Sequence, residues 1–372
     1  MILKTTVLAL LISLGCTTAF AQAGTADCIS GKLTTGTAEE LQTLTDQLIS
    51  RLPQKDFYLI GEAHTYLANN DFQFALIKSL HEKGIYNIAN ELPHATCFLF
   101  NEYLQTGNDS ILTWLMPKAS YAVLKKVREF NLTQPAARQV RYYGIDYLDA
   151  DYDFNNTYHT LQWIRRQIPI GNLPLDTLID GCLRKGQLLQ QDIAILHTQL
   201  EAQLKSQEVI YRNHFGRYYD DLLLMSGNMI GNRTNRDQLI FKSFQTLYSI
   251  LEKKQSDKPR FLAFYGIGHL ENLGDFLIRD AGSPVKAGVN KIGIQYVNCL
   301  GGWREAQLRD DGLYQLKKKD LAELIRYSKS QSWKTAFLTD LSCLSFKTGR
   351  SMDAIFIFNS YGDRKMTSWK FD

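Results

Sequence analysis

Short apolar runs of strand length alternate along the chain with longer segments whose apolar positions recur at helical period. The short runs are Asp56 to Ile60, Tyr86 to Ala89, Val140 to Tyr143, Phe261 to Tyr265, Lys291 to Val297 and Ala354 to Phe358. Most are nearly continuous in apolar character, as strands buried on both faces are. Between the first two, Asp71 to Lys83 puts Phe72, Leu76, Ile77 and Leu80 on one helical face and stops at Gly84, which makes this stretch a βαβ unit. The pattern predicts an α/β fold with a parallel central sheet and helices on both faces.

Two regions depart from the alternation. Asp109 to Phe130 and Tyr158 to Tyr211 read as helical, the latter including Leu188 to Ile210 without any strand signal. They predict a helical layer inserted into the α/β core, at about residues 100–135 and 150–230. Further helices are expected over Asn235 to Lys253 and Lys319 to Ser328. No repeat, low-complexity tract or Pro/Gly/Ser-rich linker marks a boundary, so residues 24–372 are expected to form one domain.

The first 23 residues belong to a different category. Lys4 precedes a short apolar run, Val7 to Leu14, and Ala19-Phe20-Ala21 and Ala21-Gln22-Ala23 both fit a small-x-small cleavage site. This reads as a secretory signal peptide over residues 1–23, and the mature protein is expected to be secreted or periplasmic. Cys16 would suggest a lipid anchor, but Ser13 stands where a lipobox has Leu, which argues against lipidation. The run is too short to span a bilayer and no later stretch of about 18 uncharged apolar residues occurs, so no transmembrane span is expected. Export permits disulfides. Of the cysteines left after cleavage, Cys28, Cys97, Cys182, Cys299 and Cys343, none forms a zinc-type cluster. Cys97 sits in an apolar stretch and reads as a small buried residue, while a Cys299–Cys343 pair is one option that the sequence does not itself support.

Composition narrows the function classes. Hydrophobic residues at 45% and charged residues at 22% exclude disorder, collagen and coiled coil. The formal charge of +4 is not gathered into a basic stripe, so no nucleic-acid partner is expected. A small-molecule substrate or ligand suits the chain better.

The chemistry lies at the strand ends. The first run leads into Gly61-Glu62-Ala63-His64, the second into Glu91, the third into Gly144-Ile145-Asp146, and the fourth into Gly266-Ile267-Gly268-His269. In an open parallel sheet, ligands sit outside the carboxyl ends of the strands, so these four endings converge on one site. Glu62 and His64, two residues apart in extended chain, point the same way. Asp146 could equally cap a following helix. The remaining histidines, His81, His94, His159, His197 and His214, have no comparable partner and read as surface or structural residues. Gly266-Ile-Gly268-His-Leu-Glu271 lacks the third glycine of a dinucleotide fingerprint, and no GxSxG, P-loop or HExxH is present. A hydrolase built on these residues would use water as its nucleophile.

At these residues the chain resembles the erythromycin esterase-like proteins and their relatives of the ChaN and TraB/Tiki type. Asp56 to His64 resembles the group's first strand and its GE…H motif, followed by a helix and a strand ending in Glu91. Arg128 to Asn131 with Lys126 resembles the WxRxxN helix, with Lys126 in place of Trp, and Val140 to Asp146 the GxD strand. Arg236-Asp237-Gln-Leu-Ile240 resembles the Arg-Asp-x-x-Met helix, Phe264 to Leu270 the segment of the last catalytic His, and Asp353 to Ile357 the closing DAxxFI strand. The order matches over about residues 56 to 360. Two departures blur the branch: Glu62-x-His64 replaces Glu-x-x-His, and Gly-x-Gly-His269-Leu replaces HNxH, both closer to the TraB form. The substrate is therefore not carried over.

The expected activity is hydrolysis of an ester, lactone or amide by activated water. His64, held by Glu62 or Glu91, would take the proton, while His269 and Arg236 would polarise the carbonyl. Asp146 and Arg236 could instead form an orienting ion pair. No cofactor is required by this reading. A second reading, implied by the TraB/Tiki resemblance, makes Glu62, His64, Glu91 and His269 ligands of a divalent metal in a peptidase. A third, implied by the ChaN resemblance, is haem binding without catalysis, with Tyr66, Tyr142, Tyr143, Tyr147 and Tyr265 near the strand ends.

Overall fold

The computed structural model describes residues 24–361 apart from 65, 116–120, 149–150, 170, 232, 287, 302–306, 348 and 350. The predicted signal peptide and Cys16 lie outside the described residues. The strands in chain order are β1 (Thr34–Gly36), β2 (Phe57–Glu62), β3 (Asn87–Asn90), β4 (Arg141–Gly144), β5 (Phe261–Gly266), β6 (Val289–Gly301), β7 (Gln307–Asp311), β8 (Thr335–Leu338) and β9 (Ala354–Asn359). They form one nine-stranded sheet in the order β1-β8-β9-β6-β2-β5-β3-β4, with β7 added beside β6. Neighbours from β9 through β4 pair in parallel, whereas β7, β8 and β1 join antiparallel. The parallel core consists of the six strands that the apolar runs predict. The three antiparallel additions have no counterpart among those runs.

Side-chain alternation divides the interior into two layers. Tyr58 and Ile60 of β2, Leu262 and Phe264 of β5 and Ile292 and Ile294 of β6 face one side. Phe57 and Leu59, Phe261 and Ala263, and Ile355 and Ile357 face the other. The first layer meets helices Leu41–Arg51, Ala68–His81 and His94–Thr106 and the helical region from 109 to 227. The second meets helices Arg236–Lys254, Asn272–Arg279 and Lys318–Lys329. Helices therefore cover both faces, and the inserted helical layer lies on one. That layer is more broken than its apolar period suggests: the expected run Leu188 to Ile210 divides at Gln207 into helices Gln190–Ser206 and Glu208–Phe215.

The predicted stop at Gly84 is present, with φ at 77°, and its N–H donates to the His81 carbonyl at 2.9 Å. Strand β4 ends the sheet, and its outer backbone edge is covered by side-chain amides. Asn131 accepts from Val140 N–H at 2.8 Å and donates to its carbonyl at 3.0 Å. Asn101 does the same for Tyr142, at 2.8 and 2.7 Å. An edge strand whose backbone groups are already bonded cannot recruit another chain.

Cys28 and Cys343 form a disulfide, and Cys97, Cys182 and Cys299 are free and buried. The possible Cys299–Cys343 pair is thus corrected. Cys299 belongs to β6, where its thiol lies 3.4 Å from the carbonyl oxygens of Val297 and Phe358, deep in the sheet. Cys97 is buried in apolar surroundings that push its thiol pKa up, in keeping with the reading of a small core residue. No described helix is long and apolar enough to cross a membrane.

Candidate active site

The carboxyl ends of β2, β3 and β5, with the residues just past β4, meet at the start of helix Arg236–Lys254. Close approach there depends on small residues. A β-carbon on Gly144 would lie 2.3 Å from the Pro93 carbonyl, and one on Gly266 would lie 3.0 Å from His64 Nε2 and 3.5 Å from Glu91 Oε2.

Glu91 is the centre of the cluster. Its Oε1 accepts from Arg236 at 2.6 Å and lies 3.2 Å from His269 Nε2. Its Oε2 lies 3.2 Å from His64 Nε2 and accepts from the Gly266 N–H. The other nitrogen of His64 is 3.4 Å from Glu62, whose second oxygen accepts from Gln73 at 3.0 Å. The Arg236 guanidinium also forms a fork with Asp146, while Asp146 accepts from Tyr147 N–H at 2.9 Å. Asp237 bonds His269 Nδ1. All six predicted site residues are therefore joined in one hydrogen-bonded network.

Burial and charge set the protonation states. Burial opposes a charged His64, but its hydrogen bonds to Glu62 and Glu91 outweigh it and raise its pKa from 6.5 to about 10. The same contest at His269, with Asp237 and Glu91 as partners, raises it to about 9. Burial alone would push Glu91 up, yet its contacts with His269 and His64 hold it well below the usual carboxylate range. Burial raises Asp146, with Arg236 pulling the other way. Arg236 is held cationic by Asp146 and Glu91 despite its burial. Within this group the His64 side chain is the most open to solvent, at 40% exposure against 12% for His269 and 9% for Glu91.

Both ring nitrogens of each histidine lie within reach of carboxylate oxygens, and both oxygens of Glu91 are engaged, so in this structure the groups bond one another. Among the described residues no group of three His, Cys, Asp or Glu side chains is arranged to hold a metal. The tyrosines offered as haem contacts are all buried: Tyr66 stacks on Tyr296 at 4.0 Å, and Tyr265 donates to the Asn90 carbonyl at 3.2 Å. Tyrosine at these positions fills the core.

No family model matches the chain, and no curated protein matches it by sequence. Solved structures do match. The erythromycin esterase EreC, seen as a mutant in its open conformation, superposes with a TM-score of 0.59 at 12% identity, covering 89% of this chain and 98% of that one. The chain has the erythromycin esterase fold. A succinoglycan biosynthesis protein is similar at TM-score 0.58 and 12% identity, over 91% of this chain and 97% of its own. A Bacillus cereus protein is similar at TM-score 0.55 and 11% identity, over 90% and 96%.

Within this erythromycin esterase fold, two further residues touch the network. Asp237 orients His269, and Gln73 orients Glu62. Asp237 follows Arg236 directly in sequence and is the acidic residue of that helix's first turn, a signal that was present beside a chosen residue. Gln73 carries no such signal, because only the packing of helix Ala68–His81 brings it to the strand end. Asp146 is not a helix cap, since the next helix starts at Asp151, and its carboxylate is committed to Arg236. The expectation that the other histidines lack partners needs correction: His94 pairs with Asp221 at 3.0 Å and His214 with Asp176 at 2.8 Å. The first pair joins helices His94–Thr106 and Tyr219–Gly227, and the second joins Glu208–Phe215 and Pro174–Leu183. Asn131 and Lys126 likewise act in the scaffold, Lys126 pairing with Asp71 at 2.9 Å.

Proposed function

We propose that the protein is an exported hydrolase of ester, lactone or amide bonds in a small molecule, with water as the nucleophile. The observation that carries this reading is the single carboxylate, Glu91, shared by His64, His269 and Arg236, with the His64 and Arg236 side chains open to solvent at 40% and 33% exposure. His64 takes a proton from the attacking water, and Glu62 and Glu91 hold its ring. His269, oriented by Asp237, and Arg236, oriented by Asp146, supply positive charge for the oxyanion. The fold shared with erythromycin esterase supports a hydrolase, and the Cys28–Cys343 disulfide supports export.

This assignment has a pH consequence. With its pKa raised to about 10, His64 carries a proton at neutral pH, and only the small deprotonated fraction serves as base. Values of kcat/KM on an ester and lactone panel are expected to climb from pH 7 toward about 9, where His269 begins to lose the proton it offers the oxyanion. His64→Ala is expected to lose roughly 10²–10⁴-fold in kcat with its circular dichroism preserved. A variant that keeps its activity, or a flat pH profile, rejects His64 as the base.

A further inference from the structure

Beside the site, a surface turn is held with unusual firmness. After β7 the chain reverses at Gly312, whose φ of 123° is closed to other residues. A β-carbon there would sit 2.2 Å from the Ile294 carbonyl oxygen. Two glutamines, each 1% exposed, fix the turn from beneath. Gln295 donates to the Asp311 carbonyl at 2.6 Å and accepts from Leu313 N–H at 3.0 Å. Gln315 donates at 2.9 Å to the carbonyl of Ile267, two residues before His269. Gln295 thus holds the turn through both ends of its amide, and Gln315 ties it through its NH2 group to the strand end that carries the site, its own Oε1 being buried without a partner among the described residues.

What the turn displays is Tyr314. Its ring is 42% exposed, in contrast to the buried tyrosines at the other strand ends. Its hydroxyl lies 3.0 Å from the place a Gly268 β-carbon would occupy, and Gly268 adjoins His269. The Lys347 ammonium stands over the ring, 5.9 Å from its centroid. A solvent-reaching aromatic ring whose hydroxyl lies against Gly268, on a turn tied to the segment that carries His269, is suited to stacking.

We propose that Tyr314 is a specificity-determining platform on which a flat, ring-bearing part of the substrate stacks while the scissile carbonyl is presented to His64 and His269. This rests on the hydrolase reading above. Offset stacking on one ring corresponds to roughly 3- to 10-fold in affinity. Benzyl and n-hexyl esters of the same acid provide the kinetic test, since their leaving alcohols are chemically similar. Tyr314→Ala is expected to reduce the kcat/KM preference for the benzyl ester by roughly 3- to 10-fold, chiefly through KM, and Tyr314→Phe to restore it. An unaltered preference, or an equal loss on both esters, overturns the platform. Calorimetric binding of the benzyl ketone isostere separates this from hydrolysis. Weaker binding in Tyr314→Ala and recovery in Tyr314→Phe support the platform even if no ester is turned over, while equal affinity in all three proteins overturns it. Failure of the native protein to turn over either ester counts against the hydrolytic assignment and leaves the ketone result standing, whereas turnover that survives in His64→Ala rejects only His64 as the base.

Discussion

His64 and His269 couple the charge state of the site to the stability of the fold. Both pKa values lie above the ordinary 6.5, at about 10 and about 9. Below pH 6.5 folded and unfolded chains both hold these protons, and the contribution to stability is fully present. As the pH rises further, the unfolded chain releases them while the folded one retains them, so the contribution declines and is gone above about 10. Tm is therefore expected to fall between pH 7 and 10, and to fall less in a His64→Gln, His269→Gln double variant. Identical slopes for the two proteins would show that neither imidazole holds its proton more tightly when folded. The residues that ended apolar runs were legible as site residues because a parallel sheet delivers strand ends to one place. Gln73 was not, because a helix side chain that meets a strand end does so through tertiary packing alone.

At the scale of elements, the same contrast separates strands that the pattern predicts from those it misses. The parallel strands are buried on both faces and so appear as apolar runs. β7, Gln307–Asp311, is exposed at every residue and polar in sequence, and it is a strand only because β6 extends far enough to pair with it. β1 is three residues long, too short for a period to be read, whereas β8 has the same four-residue length as β3 and β4 and is missed despite being buried throughout. The edge of β4 supplies a test at this scale. Asn131 is buried and makes both of its hydrogen bonds to Val140, so Asn131→Ala leaves two backbone groups without partners. A loss of about 1–3 kcal/mol in urea unfolding is expected, with kcat of the folded protein retained. If kcat falls while stability holds, Asn131 acts in the reaction and not in the edge.

For the whole molecule the disulfide is the longest-range constraint. It ties helix Gly24–Lys32 to the turn after β8 across a sequence separation of 315 residues, and Lys32 reinforces the junction through Asp340 at 2.6 Å. Reduction, or a Cys28→Ser, Cys343→Ser double variant, is expected to cost about 2–4 kcal/mol, seen as a lower denaturant midpoint that added reductant no longer shifts in the double variant. An unchanged midpoint on reduction of the native chain would mean that the helix docks without help from the bond. The same separation orders events in biogenesis. Cys28 is made early and has no partner until Cys343 follows, so the earliest described helix is the last part of the protein to be covalently secured. In an oxidising compartment that thiol would stay open to exchange until Cys343 is made, and the finished bond reports that translation has passed residue 343.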